Sequence, residues 1–151
     1  MRAVIQRVHC ATIVIDREIT REIKQGLVVF LGVMEGDTEK QSEFLAQKIC
    51  ELRIFRDDAD KMNRSLEDIF GDLLVVSNFT LSADCKKGRR PSFDASAPAK
   101  KAEALYRHFI ACAAKRPIRS LQTGEFGAHM DVTVHNDGPV TIQIDTQKIG
   151  K

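Results

Sequence analysis

The chain has 151 residues and carries 23 Lys and Arg against 21 Asp and Glu, a net charge of +2. With 43% hydrophobic and 29% charged residues, and only 4 Pro and 9 Gly, it can bury a sizeable core, which excludes collagen-like, mucin-like and low-complexity classes. A single domain over residues 1–151 is expected.

The opening reads as strands over Ala3–Val8 and over Ala11–Ile15, the latter with Ala11, Ile13 and Ile15 alternating, followed by a buried strand over Leu27–Val33. That last run is the longest apolar stretch, and it is far shorter than the roughly 20 residues that span a bilayer. Met1 to Arg7 turns polar too early for a signal-peptide apolar segment, so a cytoplasmic location is expected. Thr38, with Gln41 three residues on, has the spacing of a capping box and predicts a helix that places Phe44, Leu45, Ile49 and Leu52 on one face.

A polar stretch over Arg56–Asp68 leads into Leu73–Leu81, whose β-branched and aromatic content predicts a second buried strand. Pro98 suits the first position of a second helix, in which Ala102, Leu105, Tyr106, Phe109, Ile110 and Ala113 recur at helical spacing until Pro117 stops it. Met130, Val132 and Val134 alternate, residues 135–139 are rich in turn formers, and Val140, Ile142 and Ile144 alternate again, a pattern that predicts a C-terminal hairpin. The fold class is therefore α+β, with two principal helices on a mainly antiparallel or mixed sheet. Thr146–Lys151 reads as a frayed tail.

Residue types alone support little chemistry. Ser77 or Thr80 with one of His9, His108, His129 or His135 and Asp131 offers the members of a Ser-His-Asp triad, but there is no G-x-S-x-G elbow. Cys10, Cys50, Cys85 and Cys112 are widely spaced, with no C-x-x-C pair, so free thiols and no metal site are expected. Lys86, Lys87, Arg89 and Arg90 put four cations on a segment that Gly88 and Pro91 keep from being helical. Such a loop either grips phosphates of a nucleic acid or is simply solvated. The Gly138-Pro139 bond is one at which a cis peptide is cheap, and paired carbonyls there can accept from an ammonium group, although trans is the commoner state.

Taken together, the motifs resemble the D-aminoacyl-tRNA deacylases of the bacterial and eukaryotic type. The resemblance is carried by Met1 to Val8, Leu52-Arg53-Ile54-Phe55, Lys61-Met62-Asn63, Lys87 to Phe93, Thr123 to Ala128 and Asn136 to Thr141. Ser77-Asn78-Phe79-Thr80-Leu81 is similar to the family's Ser-Gln-Phe-Thr-Leu motif, with Asn78 in place of Gln. The resemblance implies an intertwined homodimer whose Gly138-Pro139 turn, with a cis bond, enters the partner's active site and faces Ser77, Asn78, Phe79 and Thr80. It implies hydrolysis of the ester between a D-amino acid and the 3′ end of tRNA. Glycyl-tRNA mischarged on tRNA-Ala is an expected second substrate, and L-aminoacyl-tRNA is refused because an L side chain collides with the turn.

Arg7 is expected to support that turn, and Lys86, Lys87, Arg89 and Arg90 to hold the tRNA. No cofactor and no metal are implied. Two chemical routes stay open: Thr80 as covalent nucleophile, or water assisted by the tRNA's 2′-hydroxyl with Thr80 positioning substrate and backbone N–H groups near Phe79 and Thr80 stabilising the oxyanion. The competing class is a non-catalytic tRNA 3′-end binding protein.

Overall fold

The computed structural model describes residues 1–149. Its organising element is β1, Arg2–Ile15, a single strand of 14 residues where the sequence predicts two. Ala3 and Ile5 of its first half and Val8, Ala11, Ile13 and Ile15 of its second enter two different hydrophobic cores. Residues 2–8 pair with β3, Gly26–Gly32, and residues 11–15 with β2, Ile19–Ile23. Its other edge is taken along the whole length by β8, Met130–Asp145.

The sheet continues from β3 through β6, Asp72–Ser77, to β7, Ser120–Thr123, with both of these pairings parallel, so it is mixed as expected. In β3 and β6 successive residues are buried on opposite faces: Leu27, Val29, Leu31, Leu73 and Val75 enter one core, and Val28, Leu74 and Val76 the other. That is why both strands read as unbroken apolar runs. The sheet curls far enough for Arg21 of β2 to donate to the Thr123 carbonyl on β7 at 2.5 Å.

Helices α1, Glu39–Glu51, and α2, Ala99–Ala113, cover one face. Their contribution to the core comes from Leu45, Ala46, Ile49, Leu105, Tyr106 and Phe109 among others, as helical spacing predicts. One expectation for these faces fails, since Phe44 is 42% exposed, whereas Leu52 and Ile110, partly buried, still pack against the core. Before α1, the Gln41 side chain accepts from the Thr38 N–H at 2.9 Å, fixing the helix start. Pro98 sits one position earlier than expected, as the N-cap of α2. A two-stranded ribbon, β4 (Phe55–Arg56) and β5 (Met62–Arg64), interrupts the polar stretch.

Two sequence expectations are corrected where they bear on the site. The strand predicted over Leu73–Leu81 ends at Ser77, and Phe79–Ser82 form a 3-10 turn. Asn78 donates the last ladder bond to the Leu31 carbonyl, and its side chain then accepts from the Thr80 N–H, which bends the chain out of the sheet. Gly32 lies directly beneath, where a Cβ would stand 3.0 Å from the Asn78 carbonyl oxygen.

The second correction concerns the predicted C-terminal hairpin, whose two arms are one continuous strand. β8 has 16 residues against the 14 of β1 and pairs with it from Arg2–Asp145 to Ile15–Met130, so it carries a net excess of two. Between Asn136, paired with Val8, and Thr141, paired with Gln6, residues 137–140 of β8 face only Arg7, so three leave the ladder in an excursion that contains Gly138 and Pro139, and the unpaired His9 of β1, between Val8 and Cys10, offsets one of them. At the C-terminus the expected fraying is corrected over residues 146–149, where the Thr146 N–H donates to the Met1 carbonyl at 2.9 Å and the N–H groups of Gln147, Lys148 and Ile149 donate to Asp145; residues 150–151 lie outside the described residues.

Candidate active site

The parallel strands β3, β6 and β7 all end on the same side of the sheet, and a cavity of about 450 Å³ opens there. Open sheets place ligands at the carboxyl ends of parallel strands because the chain leaves the sheet there in different directions and a crevice remains. Leu31 and Val33 follow from β3, Ser77, Asn78 and Phe79 from β6, and Phe126, Gly127 and Ala128 from β7; Ala102 and Tyr106 of α2 and Met130 of β8 complete the wall.

The lining is mostly apolar and, among the described residues, contains no Asp, Glu, His, Lys, Arg or Cys. Tyr106 is its one ionisable side chain. Burial pushes that hydroxyl up to about 12, and it donates to the Val75 carbonyl at 2.9 Å, so it stays a neutral structural donor. A Ser-His-Asp triad is therefore not assembled: none of His9, His108, His129, His135 and Asp131 lines the cavity.

The structure brings Ser77, Asn78 and Phe79 together at the cavity, whereas Thr80 is exposed and outside its lining. The Thr80 hydroxyl donates to Asn78 Oδ1 at 2.5 Å, and the Thr80 N–H reaches the same oxygen at 3.2 Å. Of the two backbone donors expected for an oxyanion, the one at Thr80 is thus already used. Among the described residues, the Phe79 N–H has no partner.

Gly138 and Pro139 do not line this cavity. Both are exposed, and the bond between them is cis. Their excursion is held from beneath. The Asn136 amide donates to the Arg7 carbonyl at 3.0 Å and to the Val140 carbonyl at 3.1 Å, closing the gap that the excursion opens. Arg7, 2% exposed, places Nε 2.9 Å from Asp137 Oδ2 and donates from Nη1 to the Ile54 carbonyl at 2.5 Å. Gly138 has φ +126°, and a Cβ there would stand 2.8 Å from the Val140 nitrogen and 3.2 Å from Arg7 Nη2. Only glycine fits that position.

Lys86, Lys87, Arg89 and Arg90 are all exposed, on a loop pinched at its base by paired backbone bonds between Asp84 and Ser92. Glu39, Glu43 and His108 are the one group of potential metal ligands that the described residues bring together, within 4.8 Å, and it lies between the helices, away from the cavity. There the His108 ring nitrogens stand 3.2 Å from Glu43 and 3.9 Å from Glu39.

Sequence reasoning missed most of the cavity wall. Ala102 and Tyr106 read as helix core and Met130 as an ordinary strand position; only the Thr123 to Ala128 motif signalled that the chain after β7 mattered.

Residues 4–145 match the family model described as D-Tyr-tRNA(Tyr) deacylase. The chain is 50% identical over 149 residues to the D-aminoacyl-tRNA deacylase of Thermosipho melanesiensis and 51% identical over 149 residues to that of Petrotoga mobilis, in each case covering 99% of both chains. Among solved structures it superposes on the c-Myc DNA Unwinding Element Binding Protein with a TM-score of 0.90 and 38% identity, covering 97% of this chain and 99% of the other. The chain belongs to the D-Tyr-tRNA(Tyr) deacylase family.

Proposed function

We infer that this protein hydrolyses the ester of D-aminoacyl-tRNA, releasing the D-amino acid and free tRNA, and that it does so in the cytoplasm as a homodimer. The observation that carries the chemistry is the cavity itself: apolar walls, no ionisable group that titrates near neutrality, and one unspent backbone N–H at Phe79. A site without a protein base leaves the attacking water to be oriented by the substrate, and the 2′-hydroxyl of the terminal ribose is the group beside the ester that can do so. Water adds to the carbonyl carbon, the Phe79 N–H donates to the oxygen that gains negative charge, and the carbon–O3′ bond breaks with the proton passing to O3′. Thr80 positions the turn through Asn78 and forms no covalent bond to substrate.

Chirality is assigned to Gly138 and Pro139 of the partner subunit. The turn is exposed, held rigidly by Asn136 and Arg7, and separate from its own chain's cavity, so its natural target is the cavity of a second copy. In that position its carbonyls accept from the substrate's α-ammonium, and the backbone occupies the space an L side chain needs. Glycine has no side chain to refuse and is hydrolysed too. The cations of the loop hold the acceptor end of the tRNA. The test is release of amino acid from D-tyrosyl-tRNA under multiple turnover: repeated cycles are expected, whereas protection of the ester would assign the chain to the non-catalytic tRNA 3′-end binders.

A further inference from the structure

Phe79 is the most exposed large apolar side chain among the described residues, at 61%, and its ring meets that of Phe93, itself 36% exposed, edge to face at a centroid distance of 5.4 Å. Exposed aromatic pairs are unusual on a surface without a partner, because each ring leaves apolar area in water. This pair stands between two features already described. On one side Phe79 lines the cavity; on the other, Phe93 directly follows the base of the basic loop.

The loop is built to present its charges outward. Asp84 and Ser92 exchange backbone hydrogen bonds at 2.8 and 2.9 Å, and residues 85–91 are all exposed. Of its four cations only Lys86 has an acidic partner, Asp84 at 4.0 Å; Lys87, Arg89 and Arg90 form no ion pair among the described residues. The nearby carboxylates are engaged locally, Asp84 by the Lys86 N–H and Asp94 by the Ser92 hydroxyl at 2.7 Å. The chain thus runs from the unpaired cations through the Ser92 bridge to Phe93, whose ring meets Phe79 at the cavity.

We propose that the Phe79–Phe93 pair and Lys87, Arg89 and Arg90 form a track for the single-stranded RNA nucleotides that precede the terminal adenosine, with bases against the rings and phosphates against the loop. Stacking on aromatic side chains combined with a cationic path is how single strands are held without reading their sequence. That suits an enzyme that must accept every tRNA, since the same few nucleotides end them all. The proposal rests on the deacylase reading and adds to it a contact that grips RNA rather than the aminoacyl group.

The test uses a short RNA hairpin with a single-stranded 3′ tail, carrying pyrrolo-cytidine immediately before the terminal adenosine, and the full-length protein. Binding is expected to quench the fluorophore by stacking. Phe93→Leu, which keeps apolar volume but removes the π face, is expected to abolish the quench and weaken binding roughly tenfold, about 1.4 kcal/mol, and Phe93→Tyr to restore both. Substituting Lys87, Arg89 and Arg90 by Ser is expected to flatten the slope of log affinity against log salt by about 2.

An unchanged quench and affinity in Phe93→Leu would overturn the track. So would a smaller sedimenting species for that variant, which would make the pair a subunit contact. Failure of the two readings is separable: quenching without release of D-tyrosine from charged tRNA sinks the deacylase reading, and release without quenching sinks the track.

Discussion

Asn78 carries two bonds that a strand residue would not. Its side-chain oxygen accepts from both the N–H and the hydroxyl of Thr80, so the amide shapes the turn that leaves the Phe79 N–H free. With neutral hydrogen bonds worth about 1 kcal/mol each, Asn78→Ala should lower kcat/KM roughly thirtyfold, while Thr80→Ala, which loses one bond, should cost only about fivefold. A loss of several thousandfold in Thr80→Ala, measured by single-turnover hydrolysis, would instead identify a covalent nucleophile. At Gly138 an added Cβ has no room against the Val140 nitrogen. Displacing the turn by the ångström that relieves this contact should reduce kcat/KM on D-aminoacyl-tRNA about a hundredfold. None of the four histidines lines the cavity, and replacing each by Asn should change kcat less than about threefold.

The elements that carry the cavity are joined at their opposite end by one carboxylate. Asp72 opens β6 and is almost fully buried. Burial alone would raise its pKa, but hydrogen bonds from Arg119, the Lys24 N–H and Ser120 outweigh that and hold it below the ordinary carboxylate value. A depressed folded-state pKa contributes stability that is complete above the unfolded value, near 3.9, and is lost as pH falls through the folded one. Asp72→Asn should therefore lower Tm at pH 6, and the gap between variant and parent should close as the pH drops below about 4 in thermal melts.

β3 and β6 were legible because burial on both faces leaves an apolar run that nothing else explains. The end of β6 was not, since Asn78 and Gly32, rather than apolar pattern, decide where the chain turns. Residues 135–139 announce a departure from the ladder, but composition cannot distinguish a hairpin from an excursion after which the strand resumes on the same neighbour. β2 and β7 are short, with polar positions that give no clean alternation, and went unread. Of the site, Ser77 to Phe79 and Gly138-Pro139 stood out as motifs, whereas Tyr106 and Met130 are distinguished from core residues only by the cavity beside them.

In the proposed dimer, catalysis and chiral selection lie on different subunits. Each chain holds a cavity at its own strand ends, and its exposed turn lies outside that cavity's lining, which is the basis for proposing that two copies complete each other's sites. The protein should sediment as a dimer, and mixing a Gly138→Ala chain with an Asn78→Ala chain should recover activity above either variant alone, because one mixed site pairs an intact cavity with an intact turn. Single-turnover hydrolysis of one tRNA charged separately with D-tyrosine, L-tyrosine and glycine tests this chiral hydrolysis most directly. Release of D-tyrosine and glycine with L-tyrosine left attached is expected; release of L-tyrosine at a rate matching D-tyrosine, or of none faster than in buffer, would overturn the assignment.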